Sequence, residues 1–187
     1  MIQKITNDVY KISLSSNLYC ILSEKTLIDT GNYLDKNLVE RELSGIIDLK
    51  EIKKVIFTHL HFDHIGNFNL FPNAKFYVSN QEMLDLKRNK FETILNPVIA
   101  KKFNVELHDV FRMKLPENYT VIATPGHTRG SISLYDTKNR ILFSGDTLFF
   151  DGFGRVDMPT SDPENMEKSL LLLEELDFEI LCPGHDY

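Results

Sequence analysis

The sequence predicts a layered α/β fold, and three observations carry that expectation. Segments of strand character alternate with segments of helical period, four short apolar bursts each run directly into a turn, and no repeat, low-complexity tract or linker divides the chain. With 187 residues there is enough chain for one self-supporting core, so residues 1–187 are expected to form a single domain. The composition, 42% hydrophobic and 26% charged, is that of an ordinary globular protein.

The opening reads as short strands at 9–12, 18–22 and 26–28, rich in β-branched and aromatic residues and separated by polar turns, which suggests an antiparallel meander. Asp35 is placed to cap a helix whose apolar positions Val39, Leu43, Ile46 and Ile47 fall at i, i+4, i+7 and i+8. Ser79-Asn80-Gln81-Glu82 has capping-box spacing and predicts a helix over 80–88, with Ser79 bonding the N–H of Glu82 and the Glu82 side chain reaching back. Residues 89–118 keep no steady period and contain Pro97 and Pro116. They are expected to form helix plus loop and to hold much of any specificity. Near the end, Ser161-Asp162-Pro163-Glu164 combines N-cap residues with a proline suited to a first helical turn, ahead of Met166, Leu170, Leu173 and Leu176.

The four apolar bursts share one plan. Val55-Ile56-Phe57-Thr58 precedes His59, Val121-Ile122-Ala123 precedes Pro125-Gly126-His127, Ile141-Leu142-Phe143 precedes Ser144-Gly145-Asp146, and Ile180-Leu181-Cys182 precedes Pro183-Gly184-His185. If these strand ends share one edge, loops held by a rigid scaffold would bring seven metal-ligating side chains together. In the run His59-Leu60-His61-Phe62-Asp63-His64, the first two histidines stand two apart in what is expected to be extended chain or loop, so both imidazoles can turn to one side and share an ion. Asp63 and His64 are then free to serve a second ion. Solvated loop histidines, or a closed structural zinc site, are the plainer alternatives. Against a closed site, His59, His61, Asp63, His64, His127, Asp146 and His185 are too many for one tetrahedral ion and include no thiolate. His108 stands outside this plan and reads as a surface or packing residue. The two cysteines, Cys20 and Cys182, fit no zinc or disulfide spacing and are expected to be buried free thiols.

A formal net charge of −6, from 21 Lys and Arg against 27 Asp and Glu, weakens any case for broad phosphate-backbone binding, so nucleic acid is not expected as a partner. The first residues have neither the charged nor the apolar region of a secretory signal, and no stretch is apolar enough to span a bilayer. A cytoplasmic protein acting on a small molecule, away from membranes, is the expectation.

Five motifs now stand in order: Leu27-Ile28-Asp29-Thr30-Gly31, the His59 to His64 run, Thr124-Pro125-Gly126-His127-Thr128, Gly145-Asp146 and Pro183-Gly184-His185. Through them the chain resembles the metallo-β-lactamase fold superfamily along nearly its whole length. The resemblance implies an αβ/βα four-layer sandwich with the metals at one edge between two central sheets. It also implies that His59, His61 and His127 hold one metal, that Asp63, His64 and His185 hold the other, and that Asp146 bridges them. The cofactors implied are two divalent ions, zinc or alternatively iron or manganese. The glycines before His127 and His185 would let the chain bend sharply at the metal. Asp29 reads equally as a carboxylate orienting a ligand or as a turn-capping residue.

Among branches of that superfamily, the stretch from Gly145 to Pro159 is similar to glyoxalase II and its short relatives, and its Gly154-Arg155-Val156-Asp157 portion is similar to the persulfide dioxygenases. The C-terminal helical domain that helps glyoxalase II hold glutathione is expected to be missing, because the sequence stops two residues after His185. Phe149, Phe150 and Phe153 are expected either to line a pocket or to pack in the core, and Arg155 to pair with Asp157. The implied chemistry is attack of a metal-bridging hydroxide on a thioester or ester-like carbonyl, with Asp63 orienting the nucleophile or taking its proton. The competing expectations are a single-iron persulfide dioxygenase using His59, His61 or His127 with Asp146, a lactonase or phosphodiesterase of the same superfamily, and a non-catalytic metal-stabilised binding module.

Overall fold

Why the chain builds two sheets is visible in the strand-by-strand alternation of its buried side chains. The computed structural model describes residues 1–186. Strands β2 (Val9–Ile12), β3 (Leu18–Ile21) and β4 (Thr26–Ile28) form the expected antiparallel meander, which β1 (Ile2–Lys4), unanticipated, extends at its edge. The sheet then continues in parallel through β5 (Lys54–Ile56), β6 (Lys75–Val78) and β7 (Leu107–Asp109), giving seven strands in chain order. A second sheet of four has the order β11 (Ile180–Pro183), β10 (Ile141–Gly145), β9 (Ile132–Asp136), β8 (Tyr119–Ala123), with β10 and β11 parallel.

Successive residues of a strand face opposite ways, and here each face has its own core. Tyr19, Ile21, Ile28 and Ile56 of the first sheet meet Ile132, Leu134, Ile141 and Phe143 of the second. Their neighbours Leu18, Cys20, Leu27 and Val55 point outward, to Val39 and Leu43 of α1 (Lys36–Ser44) and to Ile94, Ile99 and Ala100 of α4 (Lys90–Ile94) and α5 (Pro97–Lys102). On the far side Leu142 and Tyr135 pack with Leu173 of α6 (Pro163–Glu174). Helices, sheet, sheet and helix make the αβ/βα sandwich.

Several local expectations need correcting. Asp35 makes no side-chain cap on α1, because its carboxylate accepts the backbone N–H of Ser15 at 3.1 Å. That helix stops at Ser44, so Ile46 and Ile47 pack against the core from beyond its end. The capping box of α3 (Asn80–Arg88) is only half formed. Ser79 accepts from the Glu82 N–H at 3.2 Å, but the Glu82 side chain turns inward to other partners. Within 89–118, Asn89 and Asn96 each cap a short helix and Pro97 opens α5, while β7 was not legible. Strands β1, β6 and β9 were not anticipated either. The four bursts all form strands, and the helix opened by Pro163 is present with Met166 and Leu173 buried.

Candidate metal centre

The loops that follow β5, β8, β10 and β11 meet at one edge of the sandwich. They are tied there by bonds from Ile132 N–H to the Thr58 carbonyl at 3.0 Å and from Gly184 N–H to the Gly145 carbonyl at 2.8 Å. His59 lies in a bend after β5, and His61, in extended backbone, leads into the single turn α2 (Phe62–Ile65), which presents Asp63 and His64. His127 comes from the turn after β8, Asp146 directly follows β10, and His185 follows β11. All seven sequence-predicted site residues are therefore brought together. His108 is not among them; it sits on β7 against Tyr77, with ring centroids 5.5 Å apart.

Ligand atoms gather within 4.8 Å of one another in three groups: His59 with His61 and His127; Asp63 with His64 and His185; and His59 with His64 and Asp146. His61 Nδ1 is 2.9 Å from His127 Nε2, and His64 Nε2 is 3.4 Å from His185 Nε2. Asp146 faces both sides, with Oδ1 3.3 Å from His64 Nε2 and Oδ2 3.4 Å from His127 Nε2 and from His185 Nε2. Asp63 Oδ2 lies 3.5 Å from His185 Nε2.

Most of these imidazoles are held by their other nitrogen. His64 Nδ1 donates to Asp29 Oδ2 at 2.8 Å, His127 Nδ1 to the Arg155 carbonyl at 2.8 Å and His185 Nδ1 to the Ser15 carbonyl at 2.9 Å. His59 Nδ1 lies 3.1 Å from Thr58 Oγ1, whose own proton goes to Asp29 Oδ2 at 2.8 Å. In the neutral ring such bonds place the proton on Nδ1 and the lone pair on Nε2. Asp29 is thus an orienting carboxylate, held at φ 59° and also accepting the Thr58 N–H at 2.8 Å. Nothing in the sequence marked Thr58 or the carbonyls of Ser15 and Arg155, since any residue supplies a carbonyl.

A cation fits this arrangement. The Nε2 atom of His59 is buried and has no hydrogen-bond partner among the described residues, a costly state that a metal ion would relieve, whereas His61 faces the group through Nδ1. Burial, reinforced by the neighbouring imidazoles, holds His59 well below the usual histidine range and His61 down to about 3, so both are neutral donors. For Asp146, burial opposes ionisation, but His64 and His185 keep the carboxyl well below its ordinary value. The same opposition leaves Asp63 at about 2. Burial also works against charge on His64 and His185, yet the carboxylates beside them raise both, His185 to about 9.

The glycines act by closeness, not by the sharp bend expected of them. Neither Gly126 nor Gly184 has a positive φ. A Cβ on Gly184 would overlap Asp146 Oδ1, and one on Gly126 would come within 2.7 Å of Met166 Sδ. Above the ligands opens a cavity of about 280 Å³, walled by Phe62, Leu95, Phe149, Phe153, Met158 and Arg155. Phe149 and Phe153 thus line it, whereas Phe150 is 65% exposed elsewhere. Arg155 pairs with Asp157 through two bonds of 2.9 Å.

Residues 15–185 match the family model of the metallo-beta-lactamase superfamily. A probable metallo-hydrolase of Methanocaldococcus jannaschii is 35% identical over 91% of this chain and 87% of its own length. A hydroxyacylglutathione hydrolase of Prochlorococcus marinus is 33% identical over 82% of this chain, which spans 56% of that enzyme. Among solved structures, a protein crystallised in a di-iron-bound form superposes with a TM-score of 0.73 at 26% identity, covering 95% of this chain and 92% of the other.

Proposed function

Because the chain belongs to the metallo-beta-lactamase superfamily, we propose that it is a dinuclear metal-dependent hydrolase acting on a thioester or ester of small acyl size. The observation that carries this reading is the Asp146 carboxylate, which stands between two ligand triads with one oxygen toward His64 and the other toward His127 and His185. His59, His61 and His127 would hold one ion, Asp63, His64 and His185 the other, and Asp146 both. Divalent ions bound there supply Lewis acidity and a hydroxide nucleophile at neutral pH. Nitrogen and carboxylate donors without thiolate suit zinc, and equally iron or manganese. The di-iron form of the similar structure and the name of the hydroxyacylglutathione hydrolase support the metal count and the substrate class.

The chain's own contribution is placement. Phe62, Leu95, Phe149, Phe153 and Met158 keep water from the acyl group, and Asp63, ionised and facing the cavity, orients the attacking oxygen or receives its proton. Among the described residues lining the cavity, the one Lys or Arg is Arg155, whose charge is matched by Asp157, so a neutral acyl group suits it better than an anionic one. A single-iron persulfide dioxygenase would leave Asp63 and His185 without a task, and a closed binding module would not need the cavity. The test combines metal analysis with kinetics. About two ions per chain are expected, together with turnover of short acyl thioesters and a fall of at least about 10²-fold in kcat for Asp63→Ala. One iron with oxygen consumption, or full turnover without the Asp63 carboxyl, would defeat the reading.

A further inference from the structure

Glu82 has no exposed surface and sits at the start of α3, outside the ligand set, yet its carboxylate reaches both loops that carry the first triad. Its Oε2 accepts the backbone N–H of Leu60 at 2.9 Å, and Leu60 lies between His59 and His61. Its Oε1 accepts the Thr128 hydroxyl at 2.6 Å, and Thr128 follows His127. The backbone of Gly130 lies beside this carboxylate and favours its ionised form. We propose that Glu82 is the positioning residue of the first triad: one buried carboxylate fastens the His59–His61 loop to the His127 loop, and so sets the spacing of the three imidazoles.

The surroundings are built for that contact. A Cβ on Gly130 would come within 2.6 Å of Glu82 N and 2.7 Å of Glu82 Cγ, so the turn and the helix start touch only because this residue has none. Ser79 Oγ donates to the Gly130 carbonyl at 2.6 Å, and Asp85, one turn further along α3, binds Arg129 with bonds of 2.8 and 3.2 Å. The second triad has separate anchors, Asp29 for His64 and the Ser15 carbonyl for His185, and no bond from Glu82 to it is present among the described residues. The consequence is asymmetric. Removing the Glu82 carboxylate strands the buried N–H of Leu60 and leaves the Thr128 hydroxyl only Ser131 Oγ, at 2.8 Å, beside one triad only, and those loops relax while the other triad keeps its frame.

This rests on the dinuclear reading above, and the experiment separates the two. Wild-type, E82A and E82Q proteins are equilibrated at pH 8 against buffers of fixed free zinc. Bound metal is then counted by mass spectrometry, and the cobalt-substituted forms are compared by visible spectrum. In E82A one of the two ions should leave at about 10- to 100-fold higher free zinc, the scale of outer-shell support, while the other keeps wild-type affinity. E82Q should recover part of the loss, because its amide oxygen can accept from Leu60 and its NH₂ can donate to Thr128. Should E82A fail to fold, E82Q still shows a partial loss confined to one ion. Wild-type affinity at both sites in either variant, or equal loosening of both ions, would overturn the assignment. A wild-type protein that binds a single ion would instead defeat the dinuclear reading, and Glu82 would then be judged by whether that ion loosens. One that binds none would end both.

Discussion

Asp29 shows how much one side chain can carry at this site. It occupies the left-handed region, φ 59°, where aspartate and asparagine are among the few tolerated residues, and from there it accepts three bonds, two from Thr58 and one from His64. The Thr58 hydroxyl passes the constraint on to His59, so this carboxylate touches a ligand of each triad, one directly and one through Thr58. Asp29→Asn keeps shape and backbone tolerance but loses the charge facing His64. Zinc retention under chelator competition should therefore fall by about 10- to 100-fold at the second triad with little change in folding. Unchanged affinity at both sites would mean that His64 is oriented without it.

At the scale of elements, α3 does more than pack. Its first two turns hold the His127 turn through Ser79, Glu82 and Asp85, and the reciprocal cap gives way because Glu82 finds partners inside. Burial pushes the Glu82 carboxyl up to about 7 from an ordinary 4.5, although Thr128, Leu60 and Gly130 favour its ionised form. Between those values the folded chain keeps a proton that the unfolded chain has lost, so stability falls as pH rises through the window. The difference in urea-derived stability between metal-free wild type and E82Q should accordingly decline from about pH 4.5 to about 7 and then level. Parallel curves would show that Glu82 does not titrate there.

Across the whole molecule, the candidate ligands join the two sheets. His59, His61, Asp63 and His64 follow a strand of the seven-stranded sheet, while His127, Asp146 and His185 follow strands of the four-stranded one. A metal bound between them stabilises the sandwich by mass action, about 2.7 kcal/mol at free metal 100 times its dissociation constant. Chelation should lower Tm by roughly 5–10 °C for a chain of this size, read by calorimetry with and without EDTA. An unchanged Tm would place the bound ions outside the bridge between sheets.

The sequence by itself singled out the candidate ligands and most of the scaffold. His59, His61, Asp63, His64, His127, Asp146 and His185 each follow an apolar run or a short turn that betrays a strand end, because the burial of alternating residues is a local property of the chain. The same locality explains what stayed hidden. Strands β6, β7 and β9 owe their state to neighbours already in the sheets, and the capping-box reading of Glu82 was reasonable until Leu60 and Thr128 came within its reach. Convergence of four loops, the carbonyls that hold His127 and His185, and the close approach of Gly184 to Asp146 are all contacts between residues distant in sequence. Only the tertiary structure decides those, since a backbone carbonyl or an absent Cβ acquires its role from what the fold places against it.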